Sequence, residues 1–278
     1  MAFIKFFTVY DDEYRHILRK KKQKAFTVNA YPSVFFIDGV PFYESLNTSA
    51  KMYCDSLKEG KNVTLPTIPA DLIEAELKRA YDEGFYGVVI VCPNSLWTDH
   101  KHQAELAVKR FFRKTKIDEL GFKVKVFDSK QIGAAVSYLT YFFADTHLHL
   151  YHSTSEFFSF MEFFKNKPML YILEEGSCKI NSANGLNAFS YKNNRLKNQE
   201  ISKYPDSVIF DKFAELVVKD AKESSRELVI SLGSECTFAG NVIGRIERDL
   251  GKSSLCTVQY GVLTASVIGN KAVCISLV

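Results

Sequence analysis

No C-x-x-C pair occurs anywhere in this chain of 278 residues. Its six cysteines (Cys54, Cys92, Cys178, Cys236, Cys256 and Cys274) stand far apart. Zinc ribbons and thioredoxin-like redox chemistry therefore lack their signature. Cys92, Cys256 and Cys274 lie inside apolar runs, where cysteine behaves as a small hydrophobe. A reduced, cytoplasmic protein is expected, which makes the sequons at Asn47 and Asn62 chance matches. No apolar run reaches the roughly 20 residues of a membrane span. The segment Met1–Phe7 is too short for a signal-peptide core and reads as a first strand. Charge of one sign is also scarce. The net charge of +4 is too small to argue for a nucleic-acid partner. The basic run Arg19–Lys24 reads as the solvated end of a helix, where cations suit the dipole.

Catalytic signatures are equally sparse. No G-x-S-x-G elbow is present, and no cysteine has a base partner nearby in sequence. His100/His102 and His147/His149/His152 have spacings a metal could use. Neither set follows H-E-x-x-H, and they read as solvated or capping histidines. Gly251-Lys252-Ser253 imitates the end of a phosphate-binding loop. Ile246 stands where the first glycine of that loop belongs, so Gly251 reads as a helix stop. The residues assign no catalytic group, no metal ligand and no cofactor.

Phenylalanine is abundant, with 23 residues against a single tryptophan. That supports generous aromatic packing, either in an ordinary core or around a greasy ligand. Strand and helix alternate over residues 64–145. Pro69 opens a helix whose face carries Ile73, Leu77, Ala80 and Tyr81, with Gly84 at its end. Gly87–Cys92 is a continuous apolar run, as in a strand buried on both faces. A helix with Ala104, Ala107, Val108, Phe111 and Phe112 leads to strand Phe122–Phe127. A helix with Ile132, Ala135, Val136, Leu139 and Phe143 follows. This alternation predicts a mostly parallel sheet covered by helices. His147–Ser153 reads as a connection, and Ser153 with Glu156 as a capping box. Beyond it come strand Met169–Leu173, a stretch 174–199 of loops with short strands, helix 208–222, strand 228–232, helix 239–250 and strands at 255–259 and 272–278. The fold class is α/β, with an N-terminal domain over 1–150 and a smaller mixed-sheet domain over 151–278.

Five separated words, in order along the chain, resemble the DegV family of bacterial fatty-acid-binding proteins. Thr64-Leu-Pro-Thr-Ile-Pro69 sits where that family carries T-S-Q-P-S-P. Pro93-Asn-Ser-Leu96 sits at its S-S-x-L. Val126–Gly133 is similar to its D-S-K stretch, and Lys179-Ile180-Asn181 to its G-G-R-I-S turn. Tyr260–Gly269 is similar to its closing G-P-V-I-G-T-H-T-G.

The resemblance implies two α/β domains with a ligand cleft between them that buries a long acyl chain. It implies a binding protein, not an enzyme, whose lipid is presented to a separate fatty acid kinase. Carried over position by position, Thr64 keeps the threonine that holds the carboxylate. Asn94 replaces a serine, with Ser95 adjacent. Val267 replaces a histidine and cannot donate a hydrogen bond, which leaves Ser266 and Thr264 as substitutes on a loop. Lys179 replaces an arginine. Burying roughly 14 methylenes at about 0.8 kcal/mol each is worth about 11 kcal/mol. Losing one carboxylate partner costs about 1–3 kcal/mol. Tail burial thus survives the loss of the histidine, while an uncharged or differently headed lipid gains ground. The alternative is a degenerate member acting as a ligand-free interaction module.

Overall fold

The computed structural model describes residues 4–9, 13–17, 27–44, 49–117, 121–150, 153–164, 169–176, 185–193 and 195–278. The basic run 19–24, the Lys179–Asn181 word, Cys178 and His152 lie outside the described residues. The chain forms two compact units. Met1–Ser33, Pro66–Ile132 and Val136–Asn166 make the first. Val34–Leu65, Gly133–Ala135 and Lys167–Val278 make the second. The sequence divided the chain near residue 150; here the segment 34–65 sits with the C-terminal portion.

The first unit is built on a four-stranded, wholly parallel sheet. Its strands are β1 (Ile4–Thr8), β2 (Val28–Ala30), β6 (Gly87–Cys92) and β7 (Lys123–Asp128), in the order β2-β1-β6-β7. Every residue of β6 is buried, as its unbroken apolar run predicts. Helix α2 (Ala70–Asp82) buries Ile73, Leu77 and Ala80, and helix α3 (His100–Thr115) buries Ala104, Ala107 and Phe111. Tyr81 is instead exposed and meets Phe122 edge-on at 5.4 Å.

Helices α4 (Ala134–Leu150) and α5 (Thr154–Glu162) carry much of the phenylalanine. Phe127, Phe143, Phe157 and Phe164 meet edge to face at 5.1–6.4 Å, so these rings pack on one another. Ser153 caps α5, its Oγ accepting from Glu156 N at 3.2 Å. The stretch read as a connection from His147 is helical as far as Leu150. No glycine or proline interrupts residues 134–150, and polar residues alone do not stop a helix. His147 is buried edge-on to Phe157 at 5.0 Å.

The second unit holds a six-stranded mixed sheet in the order β10-β9-β8-β13-β11-β12. These strands are β8 (Met169–Glu175), β9 (Leu186–Lys192), β10 (Arg195–Asn198), β11 (Leu228–Leu232), β12 (Cys256–Gln259) and β13 (Ala272–Leu277). Only β11 and β12 pair in parallel among them. Helices α6 (Asp206–Ser224) and α7 (Ala239–Leu250) bury Phe213, Val217, Val242 and Ile246 against Tyr171, Ile230 and Ile275. Gly251 ends α7, as expected. Residues 174–199, expected to be loops with short strands, include β9 and β10. Asn187 and Ser190 of β9 are buried and hydrogen-bonded, to Gly185 O at 3.1 Å and from Gln199 Nε2 at 2.7 Å. Buried partners override the turn preference of these residue types.

A small antiparallel sheet completes this unit, with β3 (Val34–Ile37) between β4 (Val40–Tyr43) and β5 (Val63–Thr64). Asp38 and Gly39, both at positive φ, form the turn between β3 and β4. Helix α1 (Ser49–Lys58) packs against α8 (Val262–Ile268). The sequence anticipated neither. Residues 260–269 read as a loop, yet 262–268 are helical. Val262 and the other branched residues disfavour a helix. The buried Glu44 carboxylate overrides them, accepting from Val262 N at 2.6 Å in the first turn.

Candidate ligand-binding site

The carboxyl ends of β6 and β7 bring two of the expected residues together. Asn94 is fully buried just past β6. Its N–H donates to Gln131 O at 2.8 Å and its Nδ2 to Lys130 O at 3.2 Å. Its Oδ1 accepts from Leu96 N at 3.0 Å. Asn94 thus ties the loop after β6 to the loop after β7. Ser95, half-buried beside it, donates to Asp128 Oδ2 at 2.5 Å. Lys130 Nζ reaches the same oxygen at 2.6 Å and Ser95 Oγ at 3.3 Å. Lys130 N donates to Asp128 Oδ1 at 3.1 Å. The partners described in this Asp-Ser-Lys corner are internal, as suits a structural turn.

A second polar group forms within the other unit. Thr264 lies on α8, fully buried, and its Oγ1 has no hydrogen-bond partner among the described residues. Ser231 Oγ accepts from Ala134 N at 3.0 Å, at the start of α4. Gly133 sits between them at φ +60°, where an added Cβ would lie 2.7 Å from Ser231 Oγ and 3.3 Å from Thr264 Oγ1. Only glycine combines that backbone with so close an approach.

Ser266 lies on the same helix but faces a cavity of about 360 Å³. Tyr53, Cys54 and Leu57 of α1 and Ala265 and Ile268 of α8 give it apolar walls, and Asn270 joins its lining. Ser266 Oγ donates to Leu263 O at 2.7 Å. Asn270 Oδ1 accepts from Ser234 N at 3.2 Å and Ser234 Oγ at 3.1 Å, while its buried Nδ2 has no partner among the described residues. The charges on the lining offset one another. Lys58 meets Glu235 at 3.3 Å and Lys271 meets Glu175 at 3.7 Å. A hydrogen bond from Lys51 holds the Glu235 carboxyl below its usual range. Burial pushes the Cys54 thiol up to about 11 and the Cys236 thiol up to about 12, so neither is a thiolate nucleophile at neutral pH.

No family model and no curated protein matches the sequence. Solved structures do. A fatty-acid-binding DegV family protein from Streptococcus agalactiae superimposes with a TM-score of 0.81 at 13% identity, covering 100% of this chain and 99% of that one. The chain has the DegV fold. A stearic-acid-binding protein from Eubacterium ventriosum matches with a TM-score of 0.78 at 14% identity, over 100% of this chain and 98% of that one. A DegV family protein from Eubacterium eligens loaded with heptadecanoic acid matches with a TM-score of 0.76 at 13% identity, over 99% of each chain.

On this DegV fold, four of the five words fall at element junctions. Thr64–Pro69 runs from β5 to α2, and Pro93–Leu96 follows β6. Val126–Gly133 joins β7 to α4, and Tyr260–Gly269 contains α8. Thr64 itself is exposed on β5, opposite Phe36. No hydrogen bond among the described residues joins it to Thr264 or Ser266. Val267 is buried. The sequence reading missed Glu44, Ser231 and Asn270. Glu44 acts 218 positions away, which no local pattern reveals.

His100, weighed as a metal ligand, opens α3 and is 6% exposed. Its Nδ1 has no partner among the described residues, and burial holds its pKa down at about 4. The unfolded chain binds this proton from about pH 6.5 downward, the folded chain only near pH 4. The neutral histidine therefore contributes stability above pH 6.5 that is lost as pH falls toward 4. Between pH 7 and pH 5 it should cost about 2 kcal/mol. Urea unfolding at the two pH values checks this, with a smaller pH dependence expected for His100→Gln.

Proposed function

We propose that this chain is a non-enzymatic, cytoplasmic carrier of a long-chain fatty acid or related lipid. The observation that carries the reading is the full-length match of fold to DegV proteins described with bound stearic, heptadecanoic and vaccenic acids. The ordered words in the sequence support it independently of the fold. So does the cavity beside Ser266, whose volume lies within the range of small-molecule sites. We further propose that the head group is handed to a separate fatty acid kinase, the role the resemblance implies.

The head group is where this chain departs from the pattern that the resemblance implies. Val267 offers no donor, and Asn94 and Ser95 are committed to internal hydrogen bonds. The cavity's lysines are matched by carboxylates. A full carboxylate finds no surplus cation there, and an isolated buried charge is penalised. A head group with a neutral acceptor oxygen suits Asn270 Nδ2, a donor in search of one. Of the contacts expected from the sequence, Ser266 lines this cavity and is joined there by Asn270, while Thr264 is buried outside its lining and Thr64 is exposed.

Organic extraction of the purified protein, followed by mass spectrometry, tests the reading. About one acyl species per chain is expected, or uptake of added lipid by protein that arrives empty. An empty extract together with no uptake of fatty acid, fatty amide or monoacylglycerol overturns it and leaves the ligand-free interaction module.

A further inference from the structure

Strand β7 ends the four-stranded sheet of the first unit, because among the described strands its only neighbour is β6. The N–H groups of Lys123 and Ser129 point to β6, donating to Tyr86 O at 3.1 Å and Cys92 O at 3.0 Å. Backbone direction alternates along a strand, so Val124 and Val126 turn their N–H and C=O outward. Such an edge is a template for another strand unless something blocks it.

Beside this edge lies an open groove of about 800 Å³. Helix α3 forms one wall, and Phe158 of α5 stands on the other. Phe112, Ile117 and the two valines make its floor apolar. Its rim is cationic. Lys109, Arg113 and Lys116 are exposed and form no ion pair among the described residues. Lys123 on the strand donates to Ser155 Oγ, which leaves its charge unmatched. The single acid on the lining, Glu105, is already paired with Lys101 at 3.6 Å.

We propose that β7 is a docking edge for an extended acidic segment of a partner protein. Main-chain hydrogen bonds to Val124 and Val126 would supply affinity, and the flanking cations would select acidic side chains. A second copy of this chain fits poorly, because it would bring the same four cations to the contact. A bilayer fits poorly too, because the edge is recessed between two helices. The proposal is independent of the lipid reading.

A displayed library of random seven-residue peptides, selected on the full-length protein, tests it. Selected sequences should be rich in Asp and Glu alternating with apolar residues. N-methylating alternate backbone amides of the best synthetic peptide should weaken binding at least tenfold. The exposed charge reversals Lys109→Glu and Arg113→Glu together should do the same. Hydrogen exchange at the Val124 and Val126 amides should slow when peptide is added. Absence of acidic enrichment overturns the proposal, as does binding indifferent to both N-methylation and charge reversal. Protection of these amides by self-association, or adhesion of the same face to phosphatidylglycerol vesicles without peptide binding, also overturns it.

Discussion

Gly233→Ala is expected to lower the first thermal transition by roughly 10 °C, through about 3 kcal/mol of overpacking. Gly233 follows β11, and its N–H donates to Ala272 O at 2.9 Å. A Cβ there would overlap the Asn270 carbonyl oxygen, with the carbonyl carbon at 2.6 Å and the Tyr260 hydroxyl at 2.5 Å. None of these can retreat cheaply. The Asn270 carbonyl accepts from Glu235 N at 3.2 Å, and the Tyr260 hydroxyl donates to Gly269 O at 2.8 Å. The same turn positions Asn270 on the cavity wall, so a destabilised variant that still folds should also bind lipid more weakly. Gly240→Ala is the control. It lies in α7 with nothing within 4 Å of an added Cβ, and should be neutral or slightly stabilising. Equal melting temperatures for Gly233→Ala and the wild type would show that the turn relaxes freely.

The second large effect is expected at Asn94. Its alanine variant removes the side-chain hydrogen bonds to Leu96 N–H and Lys130 C=O, in a part-buried corner around the fully buried Asn94 side chain. A hydrogen bond contributes about 0.5–1.5 kcal/mol net, so losing the two should cost about 1–3 kcal/mol in urea unfolding. Asn94→Asp should be no rescue, since it keeps the acceptor for Leu96 but buries a charge and loses the donor to Lys130. The split between stability and affinity is informative. A variant with unchanged stability and weakened lipid binding would return Asn94 to the ligand-contact role that its position in the sequence word implied.

The legibility of the fold tracked local physics. β6 announced itself through six consecutive buried residues, and α2, α3 and α7 through their helical stripes and stops. What failed to show were features decided at long range. Helix α8 contradicts the propensity of Val262-Leu-Thr-Ala-Ser-Val-Ile268, and a carboxylate from the other end of the chain supplies what propensity lacks. Within the candidate site, Asn94, Ser95 and Asp128 form one corner, but as mutual partners. Ser266 reached a cavity on a helix where a loop was expected. Asn270 was overlooked because a lone asparagine before a strand looks like any turn residue, and its orphaned amide is visible only in three dimensions.

The Glu44–Val262 hydrogen bond has a consequence for how the chain is made. It spans 218 positions, and the small sheet over residues 34–65 belongs to a unit that otherwise comprises Gly133–Ala135 and Lys167–Val278. At a synthesis rate of about 5–20 residues per second, Glu44 waits on the order of 10–40 s for its partner to be polymerised. Through that interval the hairpin of β3 and β4 has no α8 to cap and no C-terminal sheet to join. The whole first unit can fold on the ribosome meanwhile, up to Asn166. The cavity lined by α1 and α8 therefore cannot form until α8 has been made, well after α1.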